Sequence, residues 1–245
     1  MEDSLKTLEN AARLAGDKGL VRFTRFLDPA QAVHAKQIAR GHGACFSAWG
    51  GHERAERVIG CFHPPQDEIN PSEYPLVCLH SRYISRFCSI THRDLLGSFM
   101  SLGLTRDCIG DIIIVGEDIY LFASSQTAGY ICKSMSSAGK TPLHFRPLDP
   151  VPQMPEPEGT RFSSVVSSLR LDAVVAAAYR LSRSESADLI RSGIVKVNHI
   201  VCERIDMPVS ENTLLSIRGK GRILLVSIDG TTRKQRIGIT FFRYG

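Results

Sequence analysis

The sequence predicts an α+β chain made of several small folded parts, and three observations predict it. Between residues 71 and 146, apolar strand and helix patterns follow the order βαββαβ. Residues 147–160 then hold five of the twelve prolines, at 147, 150, 152, 155 and 157; such a stretch resists helix and ladder alike and reads as a stiff, extended linker. Beyond it, residues 161–245 carry 14 Lys and Arg against 7 Asp and Glu, a net of +7, although the whole chain is only +5. Positive charge is therefore a local property of the C-terminal part. With 245 residues and 43% hydrophobic content, the chain can hold two or three domains with proper cores.

In residues 1–70, Leu5–Leu14 and Pro29–Arg40 read as helices, the second opened by Asp28 as cap with Pro29 at its first position. Ala44–Trp49 and Val58–Phe62 read as strands, and Gly50-Gly51 between them as a turn rather than a phosphate cradle. Strand Leu76–Ser81, helix His92–Leu102, strands Cys108–Val115 and Ile119–Ala123, helix Ser125–Ala138 and strand Thr141–Arg146 complete a split βαβ, ferredoxin-like domain. RNA-recognition motifs share that topology and place stacking aromatics on two central strands. Leu76-Val-Cys-Leu79 offers none and Ile119–Ala123 offers only Tyr120 and Phe122, so this domain is expected to pack or scaffold rather than stack bases.

The C-terminal elements follow from local chemistry. Leu171, Val174, Val175 and Ala178 give a first short helix one apolar face. Ser182-Arg-Ser-Glu185 is a capping box that opens a second helix, running to about Arg191 with Gly193 as its stop. Val195-Lys-Val197 alternates as a strand and turns at Asn198-His199 into Ile200-Val201. Thr213–Ile217 and Ile223–Ser227 flank the basic turn Arg218-Gly-Lys-Gly-Arg222. Asp229-Gly230 reads as a further hairpin turn, ahead of a last strand over Ile237–Arg243.

This layout suits a polyphosphate. Arg170, Arg183, Arg191 and Lys196 fall at helix ends or on the hairpin, where guanidinium forks and ammoniums can reach phosphates. Arg183 also sits in a first helical turn, where free amides and the dipole favour an anion. Arg218, Lys220 and Arg222 extend the set, with Arg93, Arg233, Lys234 and Arg236 as accessory candidates; the last three fit equally a charged guard against edge-to-edge association. A basic module of this kind is the footprint of nucleic-acid binding.

Other chemistries find less support. His92-Arg-Asp94 echoes a kinase catalytic loop, but position 99 is Phe where that motif needs Asn; Thr91 and Asp94 instead form a helix-start pattern. Cys78-Leu-His80 has no second ligand pair at finger spacing, so no metal and no cofactor is expected. The seven cysteines (45, 61, 78, 88, 108, 132 and 202) lack C-x-x-C spacing, which fits reduced thiols in a cytoplasm. Met1-Glu-Asp-Ser-Leu5 has neither region of a signal peptide, and no apolar run approaches the ~18 residues of a membrane span.

Two sets of residues carry a family resemblance. Leu169-Arg-Leu-Asp172, Leu181-Ser-Arg-Ser184, Ala187, Leu189-Ile-Arg191, Gly193 and Val195-Lys-Val-Asn198 resemble the alpha-L RNA-binding motif, the S4 domain. This implies that Arg170, Ser182, Arg183, Ser184, Arg191, Lys196 and Asn198 line an RNA-contacting face. One departure is that His199 stands where the family usually has Gly after Asn, in a turn needing positive φ at both central residues. Upstream, Phe26-Leu-Asp-Pro29, Gly50-Gly-His-Glu-Arg-Ala-Glu-Arg57, Thr91-His-Arg-Asp-Leu-Leu-Gly97, Arg106 and Ile109-Gly-Asp-Ile112 resemble the YlmH family, which joins a recognition-motif-like domain to a C-terminal S4-type domain. The resemblance implies a non-catalytic, ribosome-associated protein. Its partners would be the large subunit's structured rRNA and, as a further candidate, tRNA, during rescue of stalled translation. It would be monomeric when free. The alternative is an RNA-modifying enzyme of the pseudouridine-synthase kind, with the S4-type domain delivering its substrate.

Overall fold

The computed structural model describes residues 2–86, 89–231 and 235–245. The chain divides into two compact units, Met1–Pro155 and Glu156–Gly245, and the division falls inside the proline-rich stretch.

The first unit opens with helix α1 (Glu2–Lys18), strand β1 (Arg22–Leu27), helix α2 (Pro29–Gly41) and strands β2 (Cys45–Trp49) and β3 (Val58–His63). The strands form an antiparallel sheet in the order β1-β3-β2. Ala12, Ala15, Ala35 and Ala39 are buried with Leu8 and Phe62, so small side chains let both helices lie close on the sheet. The start of α2 is as expected: Asp28 accepts the Gln31 amide at 2.8 Å, and the Gln31 side chain accepts the Asp28 amide at 2.8 Å.

Next come β4 (Leu76–Arg82), α3 (His92–Ser101), β5 (Ile109–Val115), β6 (Asp118–Ser124), α4 (Ser125–Ser134), the short pair β7 (Ser137–Ala138) and β8 (Thr141–Pro142), and β9 (Arg146–Pro147). The sheet order β5-β6-β4-β9, antiparallel throughout, is that of a ferredoxin-like fold. The single strand expected over Thr141–Arg146 is corrected: β8 pairs with β7 and only β9 joins the sheet. Leu143 and Phe145 are both buried, and prolines at 142 and 147 cannot donate to a ladder.

Leu79, Ile109, Ile119 and Leu121 pack with Leu95, Phe99 and Ile131 of α3 and α4 on one face of this sheet. Phe26, Ile59, Cys61 and Tyr74 cover Cys78 and Phe122 of the same sheet, with Tyr120, Leu148 and Met154 packed alongside. Phe122 is fully buried, which removes it from any base-stacking surface. The linker expected over 147–160 is also shorter than read: Leu148 donates its amide to Cys78 O at 2.9 Å, and a strand begins at Gly159. Burial pushes the Cys61 and Cys78 thiols up to about 11, leaving them protonated and unreactive at neutral pH.

The motif residues of this unit meet in one polar knot. The Arg57 guanidinium donates to Arg106 O (3.0 Å), Ile109 O (3.1 Å) and Phe26 O (3.3 Å). Arg106 donates to Gly110 O at 2.9 Å and Ile109 O at 3.1 Å; burial, then the neighbouring Arg57 charge, lower its pKa to about 10. Asp111 accepts the amides of Glu56 (2.8 Å) and Arg57 (3.1 Å) and lies 3.2 Å from His52 Nε2. Gly50-Gly51 is a packing turn: a Cβ on Gly51 would lie 2.2 Å from the Phe122 ring, and one on Gly50 2.4 Å from Arg57 O.

The second unit comprises β10 (Gly159–Val166), α5 (Leu171–Tyr179), α6 (Arg183–Arg191), β11 (Val195–Val197), β12 (Ile200–Val201), β13 (Thr213–Ile217), β14 (Gly221–Thr231) and β15 (Ile237–Tyr244). Its sheet runs β10-β15-β14-β13-β11-β12. Val174, Ile190, Leu215, Ile223, Leu225 and Phe241 form its core with α5 and α6. The hairpin turn expected at Asp229-Gly230 is corrected. Both residues lie within β14, where the register slips between Ile228 and Thr231 and Gly230 takes φ 92. The Asp229 carboxylate there accepts the Ser227 and Thr240 hydroxyls, each at 2.6 Å.

Among the described residues no helix is long and apolar enough to cross a membrane, and no three His, Cys, Asp or Glu side chains gather as a metal site. The six described cysteines are free thiols; Cys88 lies outside the described residues.

Candidate nucleic-acid interface

The start of α5 is pinned by a loop that follows β12. Leu171 and Asp172 donate their amides to Met207 O (2.8 Å) and Ile205 O (3.1 Å), and Val209 donates to Leu169 O (2.8 Å). The helix ends at Arg180, whose φ of 56 is left-handed. Two residues later the predicted capping box is in place: Ser182 Oγ accepts the Glu185 amide at 3.1 Å, and Glu185 accepts the Ser182 amide at 2.8 Å. Hydrogen bonds from Ser182 hold the Glu185 carboxyl below its usual range, helped by the charge of Lys220. That influence puts the Arg218–Arg222 turn within electrostatic reach of the start of α6.

Asp172 organises the site. Its side chain is 8% exposed and takes Arg170 Nε at 3.2 Å and Arg183 Nη2 at 2.6 Å, while those arginines stay 45% and 49% exposed. Ser186 Oγ donates to Asp172 O at 2.8 Å and locks α6 to α5. Burial pushes the Asp172 carboxyl up, but the hydrogen bonds and charges of Arg170 and Arg183 outweigh it and the pKa is lowered. One buried carboxylate thus orients two guanidiniums whose outer halves face water, leaving donors for a phosphate.

The tether has a pH dependence. A lowered folded-state pKa means the Asp172 contribution is complete above the unfolded value of about 3.9 and is lost as pH falls through the folded value. Asp172→Asn is expected to cost about 1–2 kcal/mol at pH 7, the half-exposed partners limiting the loss. Denaturant titrations should show that difference shrinking as pH falls below the unfolded-state carboxylate value; a difference that stays constant on acidification would contradict the tether.

Asn198 and His199 take φ of 47 and 70, so the tight turn forms without glycine. Asn198 compensates by a double clasp on Leu214, amide to carbonyl at 2.8 Å and side-chain oxygen to amide at 2.8 Å. Lys196 is exposed, opposite Ser216 of β13 and Val201 of β12. Arg191 is exposed and forms a surface pair with Asp188 at 3.2 Å, the kind that contributes little. The Tyr179 hydroxyl lies 3.0 Å from both Leu215 O and Gly221 O, tying the end of α5 to the basic turn. In that turn Arg218 and Lys220 are exposed, and the glycines on either side of Lys220, Gly219 and Gly221, take φ of 81 and 82. Arg222 lies 5.0 Å over the Tyr244 ring.

The structure therefore gathers Arg170, Ser182 and Arg183 at the helix starts, with exposed Ser184 in the first turn of α6. Arg191, Lys196 and Asn198 continue from the end of α6 into the hairpin. Of the accessory candidates, Arg93 is exposed in the first turn of α3 in the other unit, and Arg236 is exposed before β15. Arg233 and Lys234 lie outside the described residues. Sequence reasoning missed Asp172 as the shared anchor. It also missed Arg180 and Arg243, which line a cavity of about 170 Å³ with Thr160 and Phe162. An acid inside a basic helix start was the available signal for Asp172; the other two depended on β10, which was not foreseen.

Comparison with known proteins agrees with this architecture. Residues 70–150 match the family described as "Putative RNA-binding domain in YlmH", and residues 169–215 match the S4 domain. A Bacillus subtilis (strain 168) protein named "Ribosome-associated protein quality control protein P2" is 34% identical over 232 residues, covering 94% of this chain and 90% of that protein. The structure of "Cell division protein ylmH from Streptococcus pneumoniae" superposes with a TM-score of 0.52 at 21% identity, over 60% of this chain and 90% of that one, and shows a shared fold. With both modules matched and a relative at this identity covered over 90% of its length, the chain belongs to the YlmH family.

Proposed function

We propose that this chain is a non-catalytic, cytoplasmic RNA-binding protein that engages structured rRNA of the large ribosomal subunit, with tRNA as a further contact, when translation has stalled. The observation that carries the reading is the pair of half-exposed guanidiniums, Arg170 and Arg183, fixed by Asp172 beside the amides that open α6. Arg191, Lys196, Lys220 and Arg222 extend this surface and make backbone contacts, which position RNA without reading its sequence. Preference for RNA structure therefore exceeds preference for sequence. The name of the Bacillus subtilis relative supports the ribosomal setting.

Co-sedimentation with purified large subunits tests it. Arg183→Gln with Arg191→Gln is expected to shift the chain from the pellet to the supernatant while its melting temperature stays within a few degrees of the parent. Unchanged pelleting would sink the reading. A modified nucleotide missing from the rRNA of cells lacking the protein would replace it with an enzymatic one.

A further inference from the structure

α5 and α6 cover only one face of the six-stranded sheet, and the registers define what stands on the other. Lys196 pairs with Ser216, Ser216 with Arg222, and Tyr244 with Gly159. Arg222 lies over the Tyr244 ring, so these residues make one row across the strands. Leu214 pairs with Leu224, Leu224 with Phe242, and Phe242 with Arg161, making the next row. Phe242 and Tyr244 meet edge to face at 5.0 Å, and both are half-buried. A Cβ on Gly159 would lie 2.4 Å from Phe242 Cζ, so the missing side chain lets the ring lie on the sheet backbone. Arg161 stands exposed beside this ring. An acid on this face, Asp229, is bonded to Ser227 and to Thr240, two residues before Phe242 along β15.

An aromatic pair flanked by two guanidiniums, with an ammonium about 14 Å away across three strand spacings, is a chemistry that binds unpaired nucleotides. Bases stack on ring faces and guanidinium planes, and cations track the phosphates. We infer that this sheet face binds a short run of unpaired RNA nucleotides, with Phe242 and Tyr244 as the stacking platform and Arg161, Arg222 and Lys196 on the backbone. Lys196 and Arg222 belong both to this face and to the interface proposed above, so one RNA can pass from its folded part on the helices to an unpaired stretch on the sheet. The inference rests on the earlier reading only in that the unit binds RNA.

The test uses the full chain and a fluorescein-labelled ten-nucleotide oligouridylate, read by anisotropy. Phe242→Leu with Tyr244→Leu is expected to weaken binding about tenfold or more, whereas Tyr244→Phe, which keeps the ring, stays within about twofold. With the unaltered chain, a 4-thiouridine version of the oligonucleotide should crosslink to residues 237–245, a result independent of how any variant folds. Crosslinks confined to residues 169–200, or a leucine pair that binds like the parent, would overturn the inference; so would the absence of crosslinks that a face reserved for a protein partner would give. The two readings fail separately: subunit pelleting insensitive to Arg183 and Arg191 removes the first, and oligonucleotide binding insensitive to the rings removes the second.

Discussion

Replacing Arg57 with Met is expected to lower the stability of the N-terminal unit by about 3 kcal/mol and to leave the C-terminal unit's transition where it is. Met keeps much of the aliphatic length but takes donors from three carbonyls at once. Phe26 and Ile109 are themselves buried, so their carbonyls cannot turn to water without opening the layer between β1 and β5. Part of the loss is returned, because burial disfavours the Arg57 charge and lowers its pKa; the figure is therefore set below the sum of three lost bonds. Arg57→Lys, with one ammonium for three directions, should recover less than half of it. Calorimetry checks both variants. A single unchanged melting profile would show that the carbonyls find other partners and that the knot is ornamental.

Neutralising Arg183, Lys196 and Lys220 together, each to Gln, is expected to weaken binding to large-subunit rRNA about a hundredfold at low salt, three charge-assisted contacts at roughly 1 kcal/mol each. The more specific expectation concerns slope. Each phosphate contact releases condensed counterions, so log K against log salt should become shallower by about 0.7–0.9 per contact, or roughly 2–3 for the triple variant. Filter binding across a salt series measures both. Weaker binding with an unchanged slope would mean that these side chains support the fold or other contacts and do not touch phosphate.

Much of the C-terminal unit is legible in its sequence because its signals are local. The Ser182–Glu185 box, the Gly193 stop and the alternation at Val195–Val197 each depend on a few adjacent residues, and each appears where expected. Elements defined by distant partners are harder. In β1 the register slips between Phe23 and Phe26, which erases the alternation that would have announced a strand. β10 is an edge strand that follows a run of prolines and is defined by its eight pairings with β15. Asp229-Gly230 has turn composition but sits in a bulge, because Thr240 across the ladder holds Asp229 in line. For the site, charge and spacing identified the cations, but not that Asp172 reaches across eleven residues to Arg183. That bond exists only once α5 and α6 are packed.

The burial of Phe122 changes how experiments on the N-terminal unit should be interpreted. A worker guided by topology would mutate the ring standing where single-layer RNA-recognition domains expose theirs, and would take weakened RNA binding as proof of lost stacking. Here that substitution hollows out the seam between two layers, under Gly51 and beside the His52 ring 5.0 Å away. Its consequence would be a collapsed scaffold, and direct contacts from this half of the molecule must be sought at helix starts and loop tips such as the one bearing Arg93.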